Sequence, residues 1–294
     1  MALVAAGLSG CSVGPTARDV VATSIAYAGD TLYFVRTDAY DGPTRLWRMR
    51  PDGTPVRLAP LTWNRHGCTG ARLALDDLGT APEGHLTAVA YCRYRAAMEY
   101  VDIDPGGTAP RATVLAELPP GDRLPSVAWH DGHGWRTGTV HGCATIVPVP
   151  GTGALTGCSE TAGFPAVDPV TGVLYFATAG TAPTVGTAAM SGTGGTGWSI
   201  RRFDPRPGEL VTIASGFTDL RALTVTGTHE LLIAADRSGV PALWRVPVTG
   251  GSVRESIRGT FTGIAAAVDG TRVSALLAPR GDVDGDTFIT RVAP

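Results

Sequence analysis

At 294 residues the chain has room for one large domain or two ordinary ones. Its 39 Gly and 22 Pro make up about a fifth of the sequence, a composition of many tight turns, and no dozen-residue stretch keeps a helical apolar period, which excludes a mainly helical protein. The 24 basic residues, all arginine, against 26 acidic ones leave a net charge of −2. With no polybasic run the chain lacks the footprint of a nucleic-acid binder.

Met1–Gly10 (MALVAAGLSG) is uncharged and runs directly into Cys11. Leu8-Ser9-Gly10-Cys11 resembles the bacterial lipobox, a short apolar stretch with small residues before a cysteine that is lipidated and becomes the mature N-terminus. No basic residue precedes it, a departure from the pattern that fits a true start lying upstream; the rival reading is an apolar N-terminus with a chance cysteine. The resemblance implies a signal and tether over 1–18, a lipid on Cys11, and an extracytoplasmic address at the cell membrane, with 19–294 as a single domain. No later stretch approaches the ~20 apolar residues of a spanning helix.

The repeating unit is cleanest at Leu220–Ile257: LRALTVTGTH, ELLIAADRSGVP, ALWRVPVTGG and SVRESI. Val, Ile, Leu and Trp fill the runs while Gly, Thr, Pro and Asp separate them, the pattern of a four-stranded antiparallel meander. Such a sheet cannot bury both faces alone, so it needs neighbours of its own kind, as the blades of a β-propeller do. In chain order the units fall at about 22–59 (with the turn Pro51-Asp52-Gly53), 68–118, 124–158, 164–214, 220–257 and 262–294. The fourth unit holds a Gly/Thr/Ala/Ser insert, Gly180–Gly197, too poor in apolar residues to order itself and expected to be a flexible loop. The sixth has three runs only, and the segment Arg18–Thr23 (RDVVAT) is the natural donor of its missing outer strand, since a ring must not end on a raw edge. The expectation is an all-β, six-bladed β-propeller of four-stranded antiparallel blades, with the N-terminal strand closing the last blade.

Beyond Cys11 stand Cys68, Cys92, Cys143 and Cys158, an even number that in an exported chain reads as disulfides. Of the three possible pairings, the strand register favours Cys68–Cys92 and Cys143–Cys158, because each pair stands at adjoining ends of neighbouring strands. The absence of any CxxC pair argues against zinc.

The segments LYF, LWRM-RPDG, LLIAAD-RSG, LWRV and DGDTFITRV resemble the TolB-type six-bladed propeller: an apolar second strand, a D/G-rich loop, then an L-W/F-x-x third strand. The resemblance extends over most of Ala22–Pro294. The strong Pro-Asp-Gly turn of that family between the first two strands survives only as Asp168-Pro169 and Asp269-Gly270, and the amino-terminal domain of TolB has no counterpart. Together with Cys11, the chain resembles actinobacterial lipoproteins that carry TolB-like propellers. The resemblance implies a fold and an address; it assigns no site.

Propeller geometry puts the second-to-third loops and interblade connections on one face, expected to be the functional one. There the sequence collects Trp63, Arg65, His66, Arg93, Arg95, Arg123, Asp219, Arg221, Asp236 and Arg237, with Asp38, Asp41 and Arg280. Alternating Arg and Asp around a channel suits a polar or anionic ligand or a charged protein surface; interblade salt bridging is the competing account. Trp63 is either an exposed contact or interblade core. His130, His133 and His141 look like a metal cluster but fall at opposite ends of a strand. Asp282, Asp284 and Asp286 form a D-x-D-x-D run of the kind that holds Ca²⁺, yet Thr287 and Ala293 stand where an EF-hand needs Gly and Glu. No G-x-S-x-G, H-E-x-x-H or P-loop occurs. The expected function is a cell-envelope binding or scaffold module engaging an envelope protein or polar ligand; the alternative is an envelope enzyme, a metal-assisted lactonase or hydrolase or a sugar lyase, using the central channel.

Overall fold

The computed structural model describes residues 20–37, 44–61, 63, 73–92, 98–107, 109–119, 125–151, 153–180, 197–204, 209–278 and 287–292. Among them no α-helix occurs, and the strands form antiparallel meanders in which each strand pairs with its sequence neighbour. The first sheet is β1 (Ser24–Ala28), β2 (Thr31–Thr37), β3 (Thr44–Met49) and β4 (Pro55–Arg57). The second is β5 (Leu73–Thr80), β6 (Leu86–Cys92), β7 (Met98–Asp104) and β8 (Arg111–Leu118). Then come β9 (Val127–His130), β10 (His133–Val140) and β11 (Cys143–Val149). Next are β12 (Glu160–Val167), β13 (Leu174–Gly180), β14 (Trp198–Asp204), β15 (Glu209–Val225), β16 (Glu230–Arg237), β17 (Val240–Pro247) and β18 (Arg254–Arg258). The last three are β19 (Thr260–Ala266), β20 (Val273–Ala278) and β21 (Phe288–Val292).

Strand alternation explains why second strands such as β2, β13 and β16 are apolar through their centres, whereas β10 (HGWRTGTV) is mixed. Successive side chains point to opposite faces, and here both faces are covered. Leu32 and Phe34 of β2 pack with Ala265, Leu276 and Ile289, while Tyr33 and Val35 pack with Leu86, Ala88 and Ala90. In β16, Leu231 and Ile233 join the side of Trp198 and Ile200, and Leu232 and Ala234 join the side of Phe261 and Ala275. Among the described residues the apolar cores are each shared by two units, one of them joining β19–β21 to β1–β3. Full burial of each large side chain contributes about 1.5–3 kcal/mol. Side chains also stitch the first strands of the units together. Leu78 N–H donates to Ser24 Oγ at 2.8 Å, and Tyr27 N–H to Thr80 Oγ1 at 3.2 Å, whose hydroxyl donates to Ala266 O at 3.2 Å.

The segment entering β1 lies against β21. Val21 bridges Phe288 in antiparallel sense, Ala22 N–H donates to Thr287 O at 3.1 Å, and Ile289 N–H to Val20 O at 3.4 Å. The Thr287 hydroxyl donates to Ala22 O. Cys143 and Cys158 are joined by a disulfide with Cα atoms 5.2 Å apart. Cys92 is also disulfide-bonded; its expected partner, Cys68, lies outside the described residues.

Three sequence expectations need correction. The interblade connection expected between the fourth and fifth units, at Asp219 and Arg221, is strand instead: β15 runs unbroken for 17 residues, pairing with β14 through its first half and β16 through its second. Gly216, at φ +83°, and register shifts on both sides let the chain change sheets without a break. The fourth run of the third unit (ALTGC) forms no strand: Leu155 N–H reaches Ile146 O and Thr156 shares a buried hydroxyl bond with Thr145, while Gly residues and the disulfide replace a ladder. The first strand of the fourth unit starts at Glu160, not Phe164, because Glu160–Gly163 continues to pair with β13.

Candidate ligand-binding cavity

A cavity of about 310 Å³ lies among the first strands of the units, lined by residues of β1, β5, β9, β12, β15 and β19. Four of these strands depart from regular pairing where they line it. Register shifts fall between Asp76 and Gly79, Gly163 and Ala166, Thr218 and Ala222, and Phe261 and Gly263. Within three of them a non-glycine residue has positive φ: Asp77 (50°), Phe164 (55°) and Asp219 (48°). Bulges re-aim side chains at the expense of ladder bonds, and left-handed backbone at a non-glycine residue costs of order 1–3 kcal/mol. Asp tolerates that conformation better than most residues, which suits the Asp-Asp-Leu-Gly run of β5 to such a bulge.

At that bulge Asp77 N–H donates to Asp76 Oδ1 at 2.8 Å, and Asp77 Oδ2 accepts the Val127 N–H of the next unit at 2.6 Å. Two carboxyls are thereby fixed at the cavity wall. Burial raises the Asp76 carboxyl above its ordinary range. Burial pushes Asp77 up to about 7, the charge of Asp76 adding to the effect and the Val127 bond opposing it. Beside them Tyr100, hydrogen-bonded to Thr87, has its phenol raised by the same burial. The wall therefore offers one carboxyl that exchanges its proton near neutrality, a second acceptor, and hydroxyls that either donate or accept. Such a surface receives hydroxyl or ammonium groups.

Arg221 lines the same cavity from β15. Of the residues expected on the functional face, the structure brings Asp219, Arg221 and Asp236 together. Arg221 Nη2 contacts Asp219 Oδ2 and lies 2.8 Å from Asp236 Oδ1, and its side chain is 11% exposed. Arg237 stands 5.9 Å from both the Phe217 and Trp244 ring centres. These charges are thus engaged within the fold. Trp63 does not stand open on a face: it is 6% exposed, sits in the core between the first two sheets, and donates through Nε1 to Glu99 Oε2 at 2.6 Å. Arg65, His66, Arg93, Arg95, Arg123, Asp38, Asp41, Arg280, Asp282, Asp284, Asp286 and Cys11 lie outside the described residues.

The histidines do not converge. His130 and His133 face each other across the Asp131-Gly132 turn, and His141 occupies the turn after β10, at that strand's far end. His229 Nδ1 is 3.1 Å from Asp168 Oδ2. Burial works against the Asp168 carboxylate, but N–H bonds from Val170 and Thr171, with His229, outweigh it and hold the group below its ordinary range. Among the described residues no three His, Cys, Asp or Glu side chains group to hold a metal ion.

The sequence reading passed over Asp76, Asp77 and Tyr100. The signal was the Asp pair inside a β-rich run, which reads as turn residues after LAL and is in fact a bulge in the middle of a strand.

No family model matches the sequence, and no curated protein matches it. Solved structures do. TolB from Acinetobacter baumannii is 13% identical with a TM-score of 0.56, over 90% of this chain and 63% of that one, so the chain spans just under two-thirds of TolB. Oligogalacturonate lyase in complex with manganese is 10% identical with a TM-score of 0.55, over 93% of this chain and 89% of that one. A Thermus protein described as a putative oxidoreductase (glucose dehydrogenase) is 17% identical with a TM-score of 0.53, over 92% and 96%. The chain has a TolB-like β-propeller fold; identities this low speak to fold alone.

Proposed function

We propose that the chain is a six-bladed propeller closed by its N-terminal strand, that a lipid on Cys11 holds it outside the cell membrane, and that it binds a polar ligand in its central cavity. The cyclic order of the apolar cores and the pairing of Val20–Ala22 with β21 support the blade number and the closure. The single observation that carries the binding role is the cavity wall: Asp76 and Asp77 stand on a bulge that interrupts the sheet where they face the cavity. Each carboxyl accepts one backbone N–H, which leaves acceptor capacity at the cavity wall for a ligand with hydroxyl or ammonium groups. The test is thermal melting with a panel of sugars, amino sugars and polyamines, glucosamine and spermidine among them. A ligand at a hundredfold excess over its Kd adds about 2.7 kcal/mol. The expected result is a shift for at least one class that Asp77→Asn reduces; an identical shift in that variant would remove the cavity from the account.

A second reading, an enzyme working in the same cavity, draws on Asp77, whose carboxyl titrates near neutrality as a general acid–base group must. Turnover of panel members, followed by mass spectrometry and abolished by Asp77→Asn, would favour it over binding.

A further inference from the structure

A second cavity, about 560 Å³, lies between the first and last sheets, and its wall comes from the β1–β2, β3–β4 and β19–β20 turns and the end of β21. This is the face opposite the second-to-third loops. Arg50, Arg272 and Arg291 line it against a single carboxylate, Asp30. Arg272 is held in place by Asp30, donating through Nη1 to its carbonyl at 2.6 Å and lying 3.4 Å from its carboxylate. Arg50 and Arg291 are exposed and form no ion pair among the described residues. Asp52, on the same turn as Arg50, accepts from Thr54 N–H at 2.8 Å. Tyr27 also lines the groove, its phenol raised by burial and lowered in turn by its bond to Ser274 and by the charges of Arg291 and Arg272. The groove is thus lined by apolar side chains (Leu32, Met49, Val273), three arginines and one carboxylate.

The path of the chain says what this face meets. The N-terminal segment pairs with β21 in antiparallel sense, Val20 opposite Ile289 and Ala22 opposite Thr287. It therefore enters the fold at the Arg291 end of β21, beside the groove. Cys11 stands nine positions before Val20, a reach of at most about 30 Å even when fully extended. A lipid on Cys11 would keep this face turned toward the bilayer.

We infer that the arginine groove receives the phosphate of an anionic phospholipid headgroup and docks this face of the protein on the membrane surface. The inference rests on the lipid anchor for its orientation, and the chemistry of the groove stands beside it. Guanidinium matches phosphate geometrically, each basic group near an anionic surface strengthens binding about fivefold, and a second membrane signal makes anchoring by lipid chains durable.

The experiment uses the full chain carrying Cys11→Ser, which removes the lipid, and vesicles of phosphatidylcholine with and without phosphatidylglycerol. Sedimentation should show binding to the phosphatidylglycerol vesicles only, weakening as salt is raised. Adding Arg50→Ala and Arg291→Ala should lower that binding about thirtyfold. Arg50→Gln alone, on an exposed turn, serves if the double variant folds poorly and should lose about fivefold. Equal binding to both vesicle types, which insertion of Met1–Gly10 would give, overturns the inference. So does unchanged binding in the arginine variants, or protection of the groove by inorganic phosphate without vesicle binding. Fractionation of cells making the unaltered chain and the Cys11→Ser chain tests the lipid separately, so failure of the anchor and failure of the groove are read from different measurements.

Discussion

Replacing Asp77 with Asn separates what the cavity does from what the fold needs. The Asp77 carboxyl titrates at about 7 in the folded protein, against an ordinary value of 3.8, chiefly because it is buried. Between those two pH values the folded state holds a proton that the unfolded chain has released. The stabilisation is complete below the ordinary value and is lost as pH rises through 7. A gap of about three pH units at 1.36 kcal/mol each sets a ceiling of about 4 kcal/mol. Asn presents an acceptor to the Val127 N–H just as Asp77 does, and it cannot ionise. Denaturant unfolding of both proteins from pH 4.5 to 8 should give near-equal stability in acid and a variant more stable by up to about 4 kcal/mol at pH 8. Titrating groups remote from Asp77 cancel in the difference; Asp76, whose charge acts on Asp77, does not. Parallel pH profiles would refute the reasoning, because they would mean that Asp77 ionises in the folded state as freely as in the unfolded one.

Exchanging Cys143 and Cys158 for Ala opens a 15-residue separation and should cost about 3 kcal/mol in denaturant unfolding. Trp63→Phe removes the only N–H of that side chain from Glu99, which is 1% exposed; a loss of about 2 kcal/mol is expected by the same assay. Gly227→Ala places a methyl group on the Val268 carbonyl oxygen, where neither backbone can yield, and should lower the melting temperature by an amount equivalent to about 3 kcal/mol.

The sheets were legible because a blade states its own rule. A second strand such as TLYFVRT is apolar at four successive positions, Leu32 to Val35, and only a sheet covered on both faces needs that. Period and turn residues together placed most strands, and the same register brought Cys143 and Cys158 side by side. The β15 crossing was not legible, since Gly216 and Thr218 read as turn residues whether the chain stops or merely bends. The cavity was hidden for a related reason. Asp76-Asp77-Leu78-Gly79 carries a turn composition, and nothing in local sequence distinguishes a bulge within a ladder from a turn that ends one. The difference is decided by β6, where Val89 and Thr87 pair on either side of the interruption. Arg221 and Asp236 were visible as charges; that they pair with each other follows from the β15–β16 register.

The apolar cores and the cavity occupy different parts of each sheet. The middle strands carry the apolar alternation that fills the cores between units, and there the ladders run without interruption in β2, β13 and β16. The first strands face the cavity, and four of them give up regular pairing at the point where they line it. An irregularity in a middle strand would disturb two cores at once, whereas those in the first strands fall beside the cavity wall. That asymmetry lets the fold hold left-handed backbone at Asp77, Phe164 and Asp219 and keep a carboxyl that opposes folding above neutral pH. If the cavity were only leftover space between the units, Asn at position 77 would improve the protein at no loss. If it is a site, the same substitution stabilises the fold and weakens the ligand, and the two effects must appear in one variant.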